Sequence, residues 1–211
     1  MLKVIAGVAK GRKLNSVPGM TTRPALARVR AATFNIAQSS VEGARFLDLF
    51  AGTGAYSIEA LSRGARHATL VDLDPRAVAV IRQNLGLCGF SRMSTVIQGD
   101  VLRVVNRLQR EGEVFDIIMV APPYFRHLGP RAMEKVAALG LLSERGLCFV
   151  QHDVREKIPE EFGDLALVRR YTYGTNALSL YRRRGVRGAG ASSTADTAGG
   201  VAGGGEADGS C

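Results

Sequence analysis

The sequence predicts a doubly wound α/β domain with a mostly parallel sheet and an antiparallel terminal strand. Three observations predict it. Short apolar runs alternate with segments whose apolar residues recur at helical spacing, the pattern of a parallel sheet covered on both faces. The runs end in glycine or acidic turns: DLFAGTG, VDLDP and QGD. The last two runs are joined only by Gly174 and Thr175, the connection of a hairpin.

Taken in order, KVIAG and GRKL suggest two short strands, a hairpin within a basic extension spanning residues 1–40. ALARVRAATFNIA (25–37) has helical spacing, and Pro24 stands at its first turn, where a missing N–H costs nothing. RFLDLF (45–50) is a strand, 55–63 a helix and HATLVDLD (67–74) a strand. PRAVAVIRQNLGL is a helix opened by Pro75, with Gly86 near its end. A strand at 94–98, a helix at 101–110, the strand FDIIMV (115–120) and a helix over 130–139 follow. GLCFVQH (146–152), LALVRRYTY and NALSLYR supply the final strands, so the main domain runs over 41–184. From residue 185 the chain is dominated by Gly, Ala and Ser; it cannot offset its ordering entropy and is expected to be a disordered tail.

Composition narrows the function classes. The 211 residues suit one domain with a full core. The absence of any run of about 18 apolar residues predicts no membrane span, and the short apolar start followed by basic residues is unlike a signal peptide. Three cysteines without metal-ligand spacing suit reduced thiols in a cytosol, with Cys88 and Cys148 as small core residues. His67, His127 and His152 lack ligand spacing, so no metal is assigned. The net charge is +9, and residues 1–40 hold seven of the cations with no acid before Glu42. A second basic group comprises Arg169, Arg170, Arg182, Arg183, Arg184 and Arg187. Such surfaces bind phosphates through counterion release, or are simply solvated.

The strand ends carry the chemistry. In an open α/β sheet the ligand lies beyond the carboxyl ends of the strands, where strand order reverses. Gly52 and Gly54 permit a tight turn against a ligand at a helix N-terminus. Asp72, 18 residues after Gly54, is placed for ribose hydroxyls, and Asp100 for the exocyclic amine of an adenine. NAD would prefer a third glycine where Ser57 stands. S-adenosylmethionine (AdoMet) has no phosphate but needs a carboxylate near its ammonium, which Asp48 supplies directly or through water. Three acids at three successive strand ends therefore favour AdoMet. The expected cofactor set is Asp48, Phe50, Ala51, Gly52, Thr53, Gly54, Asp72, Leu73, Asp100 and Val101.

At the fourth strand end stands Ala121-Pro122-Pro123-Tyr124. With DLFAGTGA, this resembles the class I amino-methyltransferases. Four segments carry a closer resemblance: IAGVAKGRKL (5–14), TRPALARVRAATFNI (22–36), FLDLFAGTGAYSIEALSRGA (46–65) and YGTNALSLY (173–181). Together they resemble the bacterial 16S ribosomal RNA (guanine-N2)-methyltransferases called small subunit methyltransferase D, over residues 3–182. The resemblance implies a Rossmann-like AdoMet domain, a cytoplasmic monomer, and 16S ribosomal RNA or a small-subunit assembly intermediate as partner. It assigns catalysis to Ala121, Pro122, Pro123 and Tyr124.

Guanine N2 is a poor nucleophile, because its lone pair is delocalised into the ring. Acceptors at the strand end would turn that lone pair toward the sulfonium methyl, and the prolines hold carbonyl acceptors in a fixed extended segment. Tyr124 would stack on the extruded base. The family carries Asp or Asn where this chain has Ala121, and acids where it has Ala27 and Ala31. Loss of one transition-state acceptor costs about 2.7–4 kcal/mol, so slowed rather than abolished transfer is expected. Two alternatives stand beside this: an AdoMet- and RNA-binding homologue without turnover, and an amino-methyltransferase acting on DNA or protein. Lys10, Arg12, Lys13, Arg23, Arg28 and Arg30 are the expected phosphate contacts.

Overall fold

Five parallel strands succeed one another in the computed structural model, which describes residues 2–17, 19 and 24–185. Arg23, Arg187 and the tail beyond residue 185 lie outside the described residues. The strands are β1 (Arg45–Leu49), β2 (His67–Asp72), β3 (Ser94–Gln98), β4 (Phe115–Val120) and β5 (Leu142–Asp153). Three more, β6 (Glu161–Phe162), β7 (Leu165–Tyr173) and β8 (Asn176–Arg183), extend the sheet antiparallel beyond β5. Spatial order is β3-β2-β1-β4-β5-β8-β7-β6. The chain therefore steps outward from β1 to β3 and returns to the other side of β1 as β4. This is the reversal at which ligands bind in such sheets. The doubly wound architecture is as the sequence reads, and its antiparallel end is larger by the two-residue β6.

Helices α1 (Pro24–Ile36), α2 (Ala55–Ser62), α3 (Pro75–Cys88), α4 (Val101–Arg110) and α5 (Leu128–Ala138) cover the sheet. Alternate strand residues divide between its faces, as a pleated strand requires. Phe46, Ile117, Met119 and Phe149 join Phe34 of α1, Ile58 of α2 and Ile81 of α3 in one core. Leu47, Ile118, Val120 and Cys148 join Val105 of α4 and Met133 of α5 in the other. Acids cap two of the helices: Asp74 accepts the Arg76 N–H at 2.9 Å, and Asp100 the Arg103 N–H at 3.1 Å. α3 runs through Gly86 and stops at Gly89, whose φ of 76° is the left-handed cap. β5 begins at Leu142, earlier than its polar Ser-Glu-Arg stretch suggests. The register shift between Phe115 and Ile117 absorbs that stretch.

The N-terminal segment forms one antiparallel bridge, Lys3 to Lys13, in place of two strands. It docks on α2 and α3 through buried polar groups. Glu59, fully buried on α2, accepts the N–H of Ile5 at 2.7 Å and of Ala6 at 2.9 Å, and pairs with Arg63 at 2.8 Å. Ser62 Oγ accepts the Ala9 N–H and donates to the Ala6 carbonyl. Gly7 is required there: its φ is 78°, and a Cβ would lie 1.7 Å from the Ser62 carbonyl oxygen. Val4, Ala9 and Leu14 enter the core of that face.

This docking corrects the expectation for Arg30. It is only 4% exposed; its guanidinium donates to the Lys3 carbonyl at 2.6 Å, and its Nε lies 4.0 Å from Glu59. Arg30 holds the arm to α2 and is not available to a phosphate. Lys10, Arg12, Lys13 and Arg28 are exposed. In the second basic group, Arg170 is turned inward to Ser179 and the Ile158 carbonyl. Arg183 and Arg184 pair with Asp164 and Glu161.

Candidate active site

At the reversal, β1 and β4 end side by side, and the N–H of Ala121 donates to the Leu49 carbonyl at 3.2 Å. The glycine loop after β1 and the Ala-Pro-Pro-Tyr segment after β4 thus leave adjacent strand ends, where ligands of such sheets bind. The loop starts sharply: Phe50 adopts φ 69°, unusual for a bulky residue, and the N–H groups of Phe50 and Ala51 both reach the Val71 carbonyl. Gly54, with φ 75°, leads into α2, and a Cβ there would press on Leu70 at 3.2 Å.

Asp48 lies on β1 beneath this loop and is 1% exposed. Its Oδ2 accepts the Ser57 hydroxyl at 2.8 Å and the Ser57 N–H at 3.3 Å. Its Oδ1 is buried with no hydrogen-bond partner among the described residues. Burial pushes the carboxyl up to about 7, against the lowering effect of Ser57, and nearby Asp72 adds to the rise. Ser57, the departure from a third glycine, is what holds this carboxylate.

Asp72 ends β2. Its Oδ2 takes the Gly52 N–H at 2.7 Å and its Oδ1 the Asp74 N–H at 2.9 Å. A carboxylate has about four acceptor positions, so both oxygens retain capacity for vicinal hydroxyls. Leu73 beside it is 66% exposed, an apolar side chain left open after the end of β2. Gly99, before Asp100, donates to the Asp72 carbonyl at 2.9 Å, which joins the third strand end to the second. Asp100 is exposed at the cap of α4, and Val101 behind it is buried.

These features suit AdoMet: an orphaned buried carboxylate oxygen for an ammonium, an acid at hydroxyl-binding position, and an open apolar side chain beside it for a purine face. The set expected from sequence is brought together, with Asp48 deepest and Asp100 at the rim.

The Ala-Pro-Pro-Tyr segment is fixed by groups that the sequence reading missed. Tyr124 Oη donates to Asn176 Oδ1 at 2.5 Å and accepts from Gln151 Nε2 at 2.8 Å. Tyr56 Oη on α2 donates to Gln151 Oε1 at 2.7 Å. One buried amide on β5 therefore couples the tyrosine after the prolines to the helix after the glycine loop. Burial raises the Tyr56 hydroxyl well above the usual phenol range. The signal that marks Gln151 is polarity inside an apolar strand: Cys-Phe-Val gives way to Gln151-His152-Asp153, all three buried. His152 is used structurally, between the Asp153 carbonyl and Ser179 Oγ, both at 2.9 Å.

Residues 2–182 match the family described as Conserved hypothetical protein 95. The chain belongs to this family. Among relatives, it is 34% identical to ribosomal RNA small subunit methyltransferase D of Escherichia coli (strain K12), over 86% of this chain and 90% of that protein. The family fold matches a hypothetical protein of Thermus thermophilus with a TM-score of 0.75 at 30% identity, covering 86% of this chain and 99% of the other. A SAM-dependent methyltransferase from Agrobacterium tumefaciens aligns with a TM-score of 0.58 at 19% identity, over 76% of this chain and 63% of that one. That likeness speaks to the fold alone.

Proposed function

We propose that this protein transfers the methyl group of AdoMet to the exocyclic N2 of a guanine in small-subunit ribosomal RNA. The observation that carries this reading is the adjacency of the two strand ends: Ala121 is hydrogen-bonded to the end of β1, which puts the strand-end acceptors beside the glycine loop. The relative from Escherichia coli bears the name of the same reaction class.

Asp48 and the Gly52 loop would hold the amino-acid end of AdoMet, Asp72 its ribose, and Leu73 with Asp100 its adenine. Bound there, AdoMet supplies an electrophilic methyl on a sulfonium centre. The protein's part is orientation. The carbonyls of Ala121 and Pro122 accept hydrogen bonds from the N2 amine and rotate its lone pair out of conjugation. Tyr124, its hydroxyl pinned by Gln151 and Asn176, offers a fixed ring face for the extruded guanine. The N-methylated amine, out of conjugation, is strongly acidic and loses its surplus proton to solvent water, which restores the lone pair to the ring. Exposed Lys10, Arg12, Lys13 and Arg28 give the RNA backbone its cationic partner.

Mass spectrometry of 16S ribosomal RNA from cells lacking the gene tests the assignment. Loss of one N2-methylguanine, restored by the gene, is expected; an unchanged methylation pattern overturns it. Ala121 supports a second reading, a homologue that binds without turnover, which the restoration experiment in the Discussion separates.

A further inference from the structure

Phe125 follows the strand-end segment directly, yet the chemistry above does not use it. Its ring is 55% exposed, and its φ of 60° is left-handed, unfavourable for a bulky side chain. The fold nevertheless braces it on several sides. Its N–H donates to Glu156 Oε1 at 2.9 Å, and Glu156 Oε2 accepts the Asp153 N–H at 3.0 Å. The Arg155 guanidinium lies 4.8 Å from the ring centroid and is itself gripped by Asp153, at 2.8 and 3.1 Å. The Tyr124 ring meets Phe125 edge-on, with centroids 6.4 Å apart and planes at 86°. An exposed ring gains little from burial, so hydrophobic burial does not account for an aromatic side chain here.

We propose that Phe125 is a stacking platform for a second, unpaired nucleobase of the RNA, the one adjacent to the base taken up at Tyr124. This rests on the RNA reading above. Two bases lying on rings at 86° cannot stack on each other, so the pair of aromatics would hold the extruded base and its neighbour apart. Every base has a π-face, so such a platform tolerates sequence, and the Arg155 cation beside the ring suits an anionic strand.

The chain contains no tryptophan, so Phe125→Trp supplies a single fluorescent reporter at the site. A single-stranded RNA oligonucleotide is expected to quench it, and an abasic oligonucleotide of equal length and charge is not. Phe125→Ala is expected to raise the KM for small-subunit RNA about tenfold, the scale of one stacked base, with AdoMet affinity and melting temperature unchanged. Equal quenching by both oligonucleotides, or an unaltered KM in an enzyme that methylates RNA, overturns the platform alone. If the native protein neither binds nor methylates RNA, the function and the platform fall together.

Discussion

Ser57 Oγ donates to Asp48 Oδ2 at 2.8 Å, while the other oxygen of the same carboxylate lies buried with no partner among the described residues. Half of this group is satisfied by the fold, and the proposed AdoMet ammonium would satisfy the other half. The carboxyl is raised from 3.8 to about 7 by burial. Below pH 3.8 it is protonated in folded and unfolded chains alike, and burial carries no charge penalty. Between 3.8 and about 7 the unfolded chain ionises first, so the ligand-free protein loses stability as pH rises, and the loss is complete above 7.

With the AdoMet ammonium at Asp48, as proposed, cofactor binding has the opposite dependence, because an ammonium prefers the ionised form. AdoMet affinity should rise about tenfold per pH unit up to pH 7, then level off, with proton uptake by buffer in calorimetry near pH 6. Asp48→Asn should weaken binding and flatten the profile. A flat profile in the native protein would remove Asp48 from the ammonium site.

Ala121→Asp tests the strand end. A carboxylate there adds the acceptor that the carbonyls alone lack, and labelled-methyl transfer should rise about a hundred- to a thousandfold. AdoMet affinity should barely change, since Ala121 follows β4 and is not in the glycine loop. Absence of transfer in both forms, with RNA binding intact, would favour a binding protein.

The exposed cations predict salt dependence. RNA affinity should fall steeply with added salt, and neutralising Lys10, Arg12 and Lys13 together should reduce the log–log slope by about 2. Filter binding across a salt series measures this. Arg30→Ala should instead lower stability, because it removes the guanidinium that donates to the Lys3 carbonyl of the arm.

Glu59→Ala removes the acceptor of two backbone N–H groups and leaves Arg30 buried without its counter-ion. Loss of such a buried pair costs about 3–5 kcal/mol, read as a lowered midpoint in urea. A change below about 1 kcal/mol, on the order of a surface pair, would mean the arm is held by its apolar contacts alone.

Much of this fold is legible because the signals are local. β1, β2 and β4 alternate faces residue by residue, and Asp74-Pro75 and Asp100 mark helix starts by their own hydrogen bonds. The proximity of the expected cofactor residues was readable from the strand ends, since topology alone gathers those. What stayed hidden depends on partners distant in sequence. Arg30 looks like any exposed helical arginine until Glu59, 29 positions away, is found beneath it. Gln151 and Asn176 acquire meaning only when β5 and β8 pair and present them to Tyr124. The Ser-Glu-Arg stretch of β5 reads as loop because a bulge hides its pairing.

Asn84 on α3, fully buried, spends its amide on two segments: Oδ1 takes the Asn15 N–H at 2.7 Å, and Nδ2 donates to the carbonyls of Asn15 at 3.1 Å and of Thr53 at 2.9 Å. With Glu59 and Ser62, it places the arm's anchors in the helices that frame the glycine loop. These three side chains grip the arm only by backbone N–H and carbonyl groups, which do not depend on the arm's own side chains. A chimaera that exchanges residues 2–17 should therefore dock on the unchanged helices, provided that position 7 stays glycine, since a Cβ there would strike the Ser62 carbonyl.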